Sequence, residues 1–140
     1  MTCVVDASVA VKWFVEERGS TAARMVLSKY ETLLAPDFIL IETSNAAWKK
    51  VKRKEMTREQ GEAMVRALPL YFDRLVHSRA LVARAYALAS DLNHPVYDCL
   101  YLALAELNDV DLITDDERLI KAVSHTEYQR RVLTVERSLR

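Results

Sequence analysis

The first apolar stretch of the chain reads Thr2-Cys3-Val4-Val5-Asp6, a β-branched run that stops at an acid. An apolar run of this length without alternating polar residues predicts a short strand that is buried on both faces. Further strands are predicted later in the chain, at Thr32–Ala35, Leu70–Val76, Asp111–Thr114 and Val132–Val135.

Helical patterns separate these strands. They are predicted at Ala7–Glu17, Ser20–Tyr30, Asp37–Lys54, Thr57 to about Pro69, Arg79–Leu92, Pro95 to about Leu107, and Asp115–Val123. Buried strands that alternate with helices predict an α/β fold in which helices cover a mostly parallel sheet. The chain contains no internal repeat, linker or low-complexity segment, so we expect residues 1–140 to form a single domain.

The composition excludes several classes of enzyme. The chain has only two glycines, too few for a phosphate-binding glycine loop or a dinucleotide fold. Its three histidines are far apart in sequence and lack the spacing of a zinc site. Carboxylates, in contrast, are abundant. The 20 basic and 20 acidic residues cancel, so any attraction for nucleic acid must come from local patches.

The sequence also favours a cytoplasmic protein. Cys3 and Cys99 lie in apolar runs and lack a nearby partner, which predicts buried, reduced thiols rather than a disulfide scaffold. The N-terminus lacks a basic leader, and no uncharged apolar run is long enough to span a bilayer. We therefore expect a soluble chain without a membrane partner.

Four acids lie in apolar surroundings. Asp6 and Asp116 each come just after a predicted strand, at the edge of a parallel sheet where ligands bind. Glu42 and Asp98 lie within apolar helical segments. Capping of the following helices is an alternative explanation for Asp6 and Asp116, and Glu42 could pair with a distant arginine.

Asp98 is the hardest of the four acids to explain structurally. Its segment, Val96–Ala105, is apolar nearly all round and predicts a buried helix. A buried carboxylate costs several kcal/mol unless it is paired or bound to a metal, and no lysine or arginine lies within one turn. Hard cations such as Mg²⁺ and Mn²⁺ prefer oxygen ligands, so a carboxylate cluster would suit them.

The chain resembles the PIN-domain family, and within it the VapC-type toxins, over essentially its whole length. Four features carry the resemblance. They are Val4-Val5-Asp6-Ala7-Ser8, Glu42 in the helix after Pro36, Tyr97-Asp98-Cys99-Leu100-Tyr101-Leu102-Ala103-Leu104-Ala105, and Leu112-Ile113-Thr114-Asp115-Asp116. Each motif is short, but their order and spacing make the match specific.

The resemblance implies a fold and a site. The fold is a PIN-like three-layer α/β/α arrangement with a mostly parallel central sheet. The catalytic and metal-binding acids are Asp6, Glu42, Asp98 and Asp116. Residues that support them are Ser8, Asn45 and Thr114, and the adjacent Asp115 leaves open which of the two aspartates belongs to the site.

The resemblance also implies an activity and partners. It predicts a ribonuclease that uses Mg²⁺, with Mn²⁺ as a substitute, and cuts transfer or ribosomal RNA. It further implies a homodimer and a cognate VapB-type antitoxin that blocks the pocket. The alternative hypothesis is a non-catalytic PIN-like binding domain that acts only through a protein partner. A haloacid-dehalogenase phosphatase is disfavoured, because Ser8 stands where that class needs a second aspartate.

A dense basic run ends the helix that carries Glu42. One interpretation is an RNA-binding rim that contacts phosphates. The other is a solvated helix end whose cations complement the helix dipole. Both remain open, and the residues concerned are Lys49, Lys50, Lys52 and Arg53.

Overall fold

Five parallel strands form the central sheet of the computed structural model, which describes residues 1–140. The strand order is β3-β2-β1-β4-β5. The strands are β1 (Thr2–Val5), β2 (Thr32–Pro36), β3 (Arg74–Val76), β4 (Asp111–Ile113) and β5 (Val132–Leu133). Every neighbouring pair is parallel, which confirms the predicted α/β class.

Eight α-helices cover this sheet and complete a three-layer α/β/α arrangement. They are α1 (Ala7–Ala10), α2 (Ser20–Lys29), α3 (Ile39–Lys52), α4 (Arg58–Ala67), α5 (Val82–Leu92), α6 (Val96–Asn108), α7 (Glu117–Val123) and α8 (Val135–Ser138). The predicted capping box begins α4, with reciprocal hydrogen bonds between Thr57 and Gln60. None of the helices combines the length and hydropathy needed to cross a bilayer.

Some element boundaries differ from the predictions for local reasons. The first helix stops at Ala10 and continues as a 3₁₀ turn to Trp13, well short of Glu17. Beyond it the Ser20 hydroxyl donates to the Val15 carbonyl and accepts from the Glu17 N–H, which closes a turn instead.

The two edge strands are also shorter than predicted. Residues Leu68–Tyr71 form a 3₁₀ turn, so β3 begins only at Arg74. At the other edge β5 ends at Leu133, because the hydroxyl of Thr134 accepts the Arg137 N–H and starts α8. Both strands lie within the ranges predicted for them.

The main hydrophobic core contains 31 buried residues. The strand β1 is central to it, and seven consecutive residues of α6, Cys99–Ala105, are buried beside the sheet. The prediction that this helix is buried is therefore confirmed for Cys99–Ala105, whereas Tyr97 in its first turn is 52% exposed. Both cysteines are free and buried.

The sheet register decides which side chains meet at the carboxyl edge. Val5 of β1 pairs with Ile113 of β4, and the Asp6 N–H extends the pairing to the Ile113 carbonyl at 3.3 Å. The next residues on the two strands, Asp6 and Thr114, therefore leave the sheet side by side.

Candidate active site

Asp6 is the most deeply placed acid at the carboxyl edge of the sheet, with 6% of its surface exposed. Ser8 donates a hydrogen bond of 2.6 Å to Oδ1, and the hydroxyl of Thr114 donates to Oδ2. Burial raises the pKa of Asp6 to about 7; the two hydroxyls oppose the rise, and the charges of Glu42 and Asp116 add to it. The negative charge of an ionised Asp6 is therefore energetically unfavourable at this buried position.

Glu42 enters the same region from the first turn of α3. Its Oε1 accepts a hydrogen bond of 2.5 Å from the hydroxyl of Tyr101, which lies on the buried α6. Burial is the main cause that raises the pKa of Glu42, opposed by the Tyr101 hydrogen bond and reinforced by the charges of Asp98 and Asp116. The Glu42 carboxylate therefore lies within electrostatic range of Asp98 and Asp116.

Asp98 lies in the first turn of α6 and is partly buried. Its Oδ2 is 2.7 Å from Nε2 of His94, whose side chain is only 8% exposed. Burial raises the pKa of Asp98, the hydrogen bond from His94 lowers it, and the charge of Asp116 raises it further. The positive charge of Arg118 acts in the opposite direction.

Asp116 completes the group and also caps a helix. Its Oδ1 accepts the Arg118 N–H at 3.0 Å at the start of α7, so the capping interpretation is correct for this residue. It is also correct for Asp6, whose Oδ1 accepts the Val9 N–H at 3.4 Å at the start of α1. The charge of Asp116 nevertheless raises the pKa of all three other acids. The structure therefore brings three of the predicted acids, Asp6, Glu42 and Asp98, within electrostatic range of the fourth, Asp116.

Asp115, the adjacent candidate, is engaged elsewhere. Its Oδ2 accepts from Lys12 at 3.1 Å, and its Oδ1 accepts the N–H of Val135 at 3.1 Å. The backbone N–H of Asp115 donates to Ser8 Oγ at 3.0 Å. Because the Asp115 carboxylate ties the 3₁₀ turn after α1 and the start of α8 to this loop, Asp116 is the better candidate for the site acid.

The predicted supporting residues divide into two groups. Ser8 and Thr114 contact Asp6, and Thr114 also accepts the N–H of Asp116 at 3.0 Å. Asn45 lies one turn beyond Glu42, is exposed, and takes part in none of the side-chain hydrogen bonds. The supporting role of Asn45 therefore stays a prediction, and no side-chain hydrogen bond supports it.

The donor set suits a hard cation, although the carboxylates are not drawn together. No three histidine, cysteine, aspartate or glutamate side chains approach closely enough to form a ready group of ligands. Three carboxylates keep an oxygen that accepts no hydrogen bond from the protein, namely Glu42 Oε2, Asp98 Oδ1 and Asp116 Oδ2. All-oxygen donors with open positions fit Mg²⁺ or Mn²⁺.

The basic run lies at the far end of α3 from Glu42. At 1.5 Å per residue, Lys49 is about 10 Å and Arg53 about 16 Å along the helix axis from Glu42. Lys50 forms an ion pair of 3.1 Å with Glu17, and Lys52 stacks over the exposed ring of Trp48. Lys49, Lys52 and Arg53 form no ion pair and are exposed, whereas Lys50 is held in a structural contact.

Three residues near the acids were not predicted from sequence as site residues. His94 precedes Asp98 by four positions, and that spacing is the signal that could have identified it. Tyr101 follows Asp98 by three positions on the same face, but the sequence does not indicate Glu42 as its partner. Arg118 is exposed, forms no ion pair, and lies two residues after Asp116.

Comparisons with known proteins agree with this fold. The PIN domain family model matches residues 3–124. Ribonuclease VapC3 of Pyrobaculum aerophilum is 36% identical over 121 residues, which cover 85% of this chain and 92% of that protein.

Two solved structures share the fold. One is the crystal structure of PAE2754 from Pyrobaculum aerophilum, with a TM-score of 0.75 at 19% identity, covering 99% of this chain and 87% of that chain. The other is a toxin-antitoxin complex from Klebsiella pneumoniae, with a TM-score of 0.69 at 20% identity, covering 95% and 97%. The match to the family model spans most of the chain, and the sequence relative covers the same region, so this chain belongs to the PIN-domain family, with VapC ribonucleases among its relatives.

Proposed function

We propose that this protein is a Mg²⁺-dependent endoribonuclease, the toxin component of a VapBC-type toxin–antitoxin pair. The observation that carries the proposal is the gathering of buried or half-buried acids, Asp6, Glu42 and Asp98, around the charge of Asp116 at the carboxyl edge of the sheet. Buried like charges are costly, and a divalent cation offsets that cost. The sequence relative named Ribonuclease VapC3 supports RNA as the substrate.

The three aspartates would hold the cation, Asp98 and Asp116 through the carboxylate oxygens that accept no hydrogen bond from the protein. When bound, Mg²⁺ would neutralise charge on the phosphodiester and lower the pKa of a water molecule, and Mn²⁺ would substitute for it. Ser8 and Thr114 fix the Asp6 carboxylate from two directions, and Tyr101 fixes Glu42. The protein thus positions its acids through neutral donors that add no competing positive charge.

Hydrolysis of a phosphodiester adds water across a P–O bond, so one proton must leave the attacking water. Glu42 is suited to accept it, because burial raises the pKa of its carboxyl and Oε2 has no protein partner. Arg118, exposed and without an ion pair beside Asp116, is placed to contact a phosphate of the substrate.

The same proposal includes the partners and the compartment. The substrate class is structured cellular RNA, either transfer or ribosomal RNA. A VapB-type antitoxin would cover the pocket, and two copies of this chain would form a homodimer in the cytoplasm. The name of the relative, Ribonuclease VapC3, supports the presence of an antitoxin partner, and the fold shared with a toxin-antitoxin complex is consistent with such a partner.

The decisive experiment incubates antitoxin-free protein with total cellular RNA and Mg²⁺, with and without a chelator. Asp98→Asn removes one negative charge with little change in shape, and we expect it to abolish cleavage while the protein stays folded. Asp109→Asn is the matched control, since Asp109 is 92% exposed at the opposite end of α6. Its only ion pair is with Arg131.

Discrete cleavage that needs both Mg²⁺ and Asp98 would support the nuclease and identify the RNA. If folded wild-type protein cuts nothing with Mg²⁺ or Mn²⁺, the alternative of a non-catalytic domain acting through a protein partner is favoured. Cleavage by Asp98→Asn at the parental rate would contradict the proposed site. Circular dichroism and thermal melting of each variant separate loss of activity from loss of fold.

A further inference from the structure

The first turn of α6 leaves the Asp98 carboxylate free of the capping role that its position would ordinarily give it. Pro95 is the N-cap of the helix and Asp98 is the third helical residue. In a capping box, an acidic or amide side chain at this position bonds the N–H of the N-cap residue. Proline has no N–H, so that partner is absent here.

His94 supplies a donor in its place. The backbone turns at Asn93, which has the left-handed conformation with φ of 51° that asparagine tolerates at a helix end. The His94 N–H then donates to the Ala89 carbonyl at 3.1 Å, which fixes its backbone against α5. Its imidazole is 8% exposed, with Nε2 at 2.7 Å from Asp98 Oδ2. The turn between α5 and α6 therefore places one ring nitrogen against one carboxylate oxygen.

We infer that His94 is a positioning residue for the metal site, which holds Asp98 Oδ2 so that Oδ1 is presented to a divalent cation. This inference rests on the proposed function and adds a residue to it. The hydrogen bond restricts rotation of the carboxylate, and Oδ1 accepts no hydrogen bond from the protein. Partners that orient a metal ligand in this way commonly change metal affinity by 10- to 100-fold when removed.

The position of His94 also separates this role from simple core filling. The imidazole contacts a pocket acid rather than a distant structural group, and a ring N–H supplies the donor. A lysine at this place would bring a permanent charge that competes with the cation for Asp98.

The test measures Mn²⁺ binding to the metal-free, antitoxin-free chain by electron paramagnetic resonance, without RNA. We expect His94→Leu to weaken Mn²⁺ binding by about 10-fold or more. His94→Gln keeps an N–H donor at a reach similar to Nε2, and we expect binding within about threefold of wild type. His94→Asn, whose amide is too short, should behave like the leucine variant and provides a second loss variant if leucine impairs folding.

Two further variants make the outcomes distinguishable. His77→Leu removes a histidine that is 89% exposed and should leave Mn²⁺ binding unchanged. Asp98→Asn tests the site itself. If Asp98→Asn weakens binding but the leucine and asparagine variants of His94 do not, or if glutamine fails to rescue, the positioning role is overturned alone. If Asp98→Asn binds Mn²⁺ as wild type does, the metal site is overturned and the inference with it.

Discussion

Tyr101 on α6 donates a hydrogen bond of 2.5 Å from its hydroxyl to Oε1 of Glu42 on α3. The tyrosine is 1% exposed, and burial together with the charge of Glu42 raises the pKa of its phenol, which therefore stays protonated as a donor. The position of Glu42 is thus set by a residue of the hydrophobic core. Activity at the pocket should consequently respond to a substitution that leaves core packing almost unchanged.

We expect Tyr101→Phe to reduce RNA cleavage about 10-fold while RNA binding stays near the wild-type value. The ring remains in the core, and loss of the donor to the half-buried Glu42 carboxylate should cost roughly 1–3 kcal/mol of stability. Single-turnover cleavage and binding measured separately would check this. Tyr86→Phe, at a tyrosine that is 67% exposed on α5, is the control and should change neither quantity. Equal activity of both variants would contradict a role for the Tyr101–Glu42 contact.

Removal of charge from the pocket should stabilise the metal-free protein. Burial and the charges of Glu42 and Asp116 raise the pKa of Asp6 to about 7, so an ionised Asp6 opposes folding. We therefore expect Asp6→Asn to raise the free energy of unfolding of the metal-free chain at pH 8, on the order of 1 kcal/mol.

Chemical denaturation with chelator present and then with Mg²⁺ would test that expectation. Mg²⁺ should stabilise wild type, because a ligand of the native state shifts the unfolding equilibrium, and should stabilise Asp6→Asn much less. Lower stability of the asparagine variant without metal would mean that the hydrogen bonds from Ser8 and Thr114 outweigh the repulsion.

The sheet and the buried helix were predictable because their signals are local. The run Thr2–Val5 is almost entirely apolar and the segment Val96–Ala105 is interrupted only by Asp98, so burial of most of their residues follows from the pattern. Edge strands were less well predicted. The strand β5 ends before Thr134 because the Thr134 hydroxyl accepts a hydrogen bond from the Arg137 N–H. The strand propensity of the residues around Thr134 does not indicate this contact.

The acids of the site were predictable as a set, but their contacts were not. The choice between Asp115 and Asp116 depends on Lys12, which lies 103 residues away from Asp115 along the chain. Likewise, Lys50 forms an ion pair with Glu17, which lies 33 residues earlier in the chain. Long-range contacts of this kind follow from the packing of several elements, and no pattern within one segment contains them.

The basic run at the end of α3 should contribute to RNA binding through three of its members. We expect Lys49, Lys52 and Arg53, all changed to alanine, to weaken RNA binding and to flatten its dependence on salt. Each lost contact with a single strand should reduce the slope of log K against log salt by about 0.7.

Lys50→Ala is the matched control for the basic run. Lys50 is 20% exposed and is paired with Glu17, so its loss should lower thermal stability and leave the salt slope unchanged. An unchanged slope in the triple variant would mean that this helix end is solvated and faces away from the substrate.

Arg118 is the cation that we expect to act on the substrate beside the acids. Positive charge in the first turn of a helix is unfavourable, since the dipole there is also positive, and no ion pair compensates it. Its charge lowers the pKa of Asp98, which places it within range of the pocket. A phosphate at the pocket would supply the missing partner.

We expect Arg118→Ala to weaken RNA binding and slow cleavage by about 10-fold or more, while Mn²⁺ binding stays equal or becomes tighter because a competing charge is gone. Arg118→Lys should keep part of the binding, since it retains the charge but loses the planar fork. Lys121→Ala, one turn further along α7, removes the same charge and should have a smaller effect. Equal losses at both positions would indicate a general attraction along α7 rather than a phosphate contact at the pocket, and weaker Mn²⁺ binding in Arg118→Ala would mean that the arginine supports the acids instead.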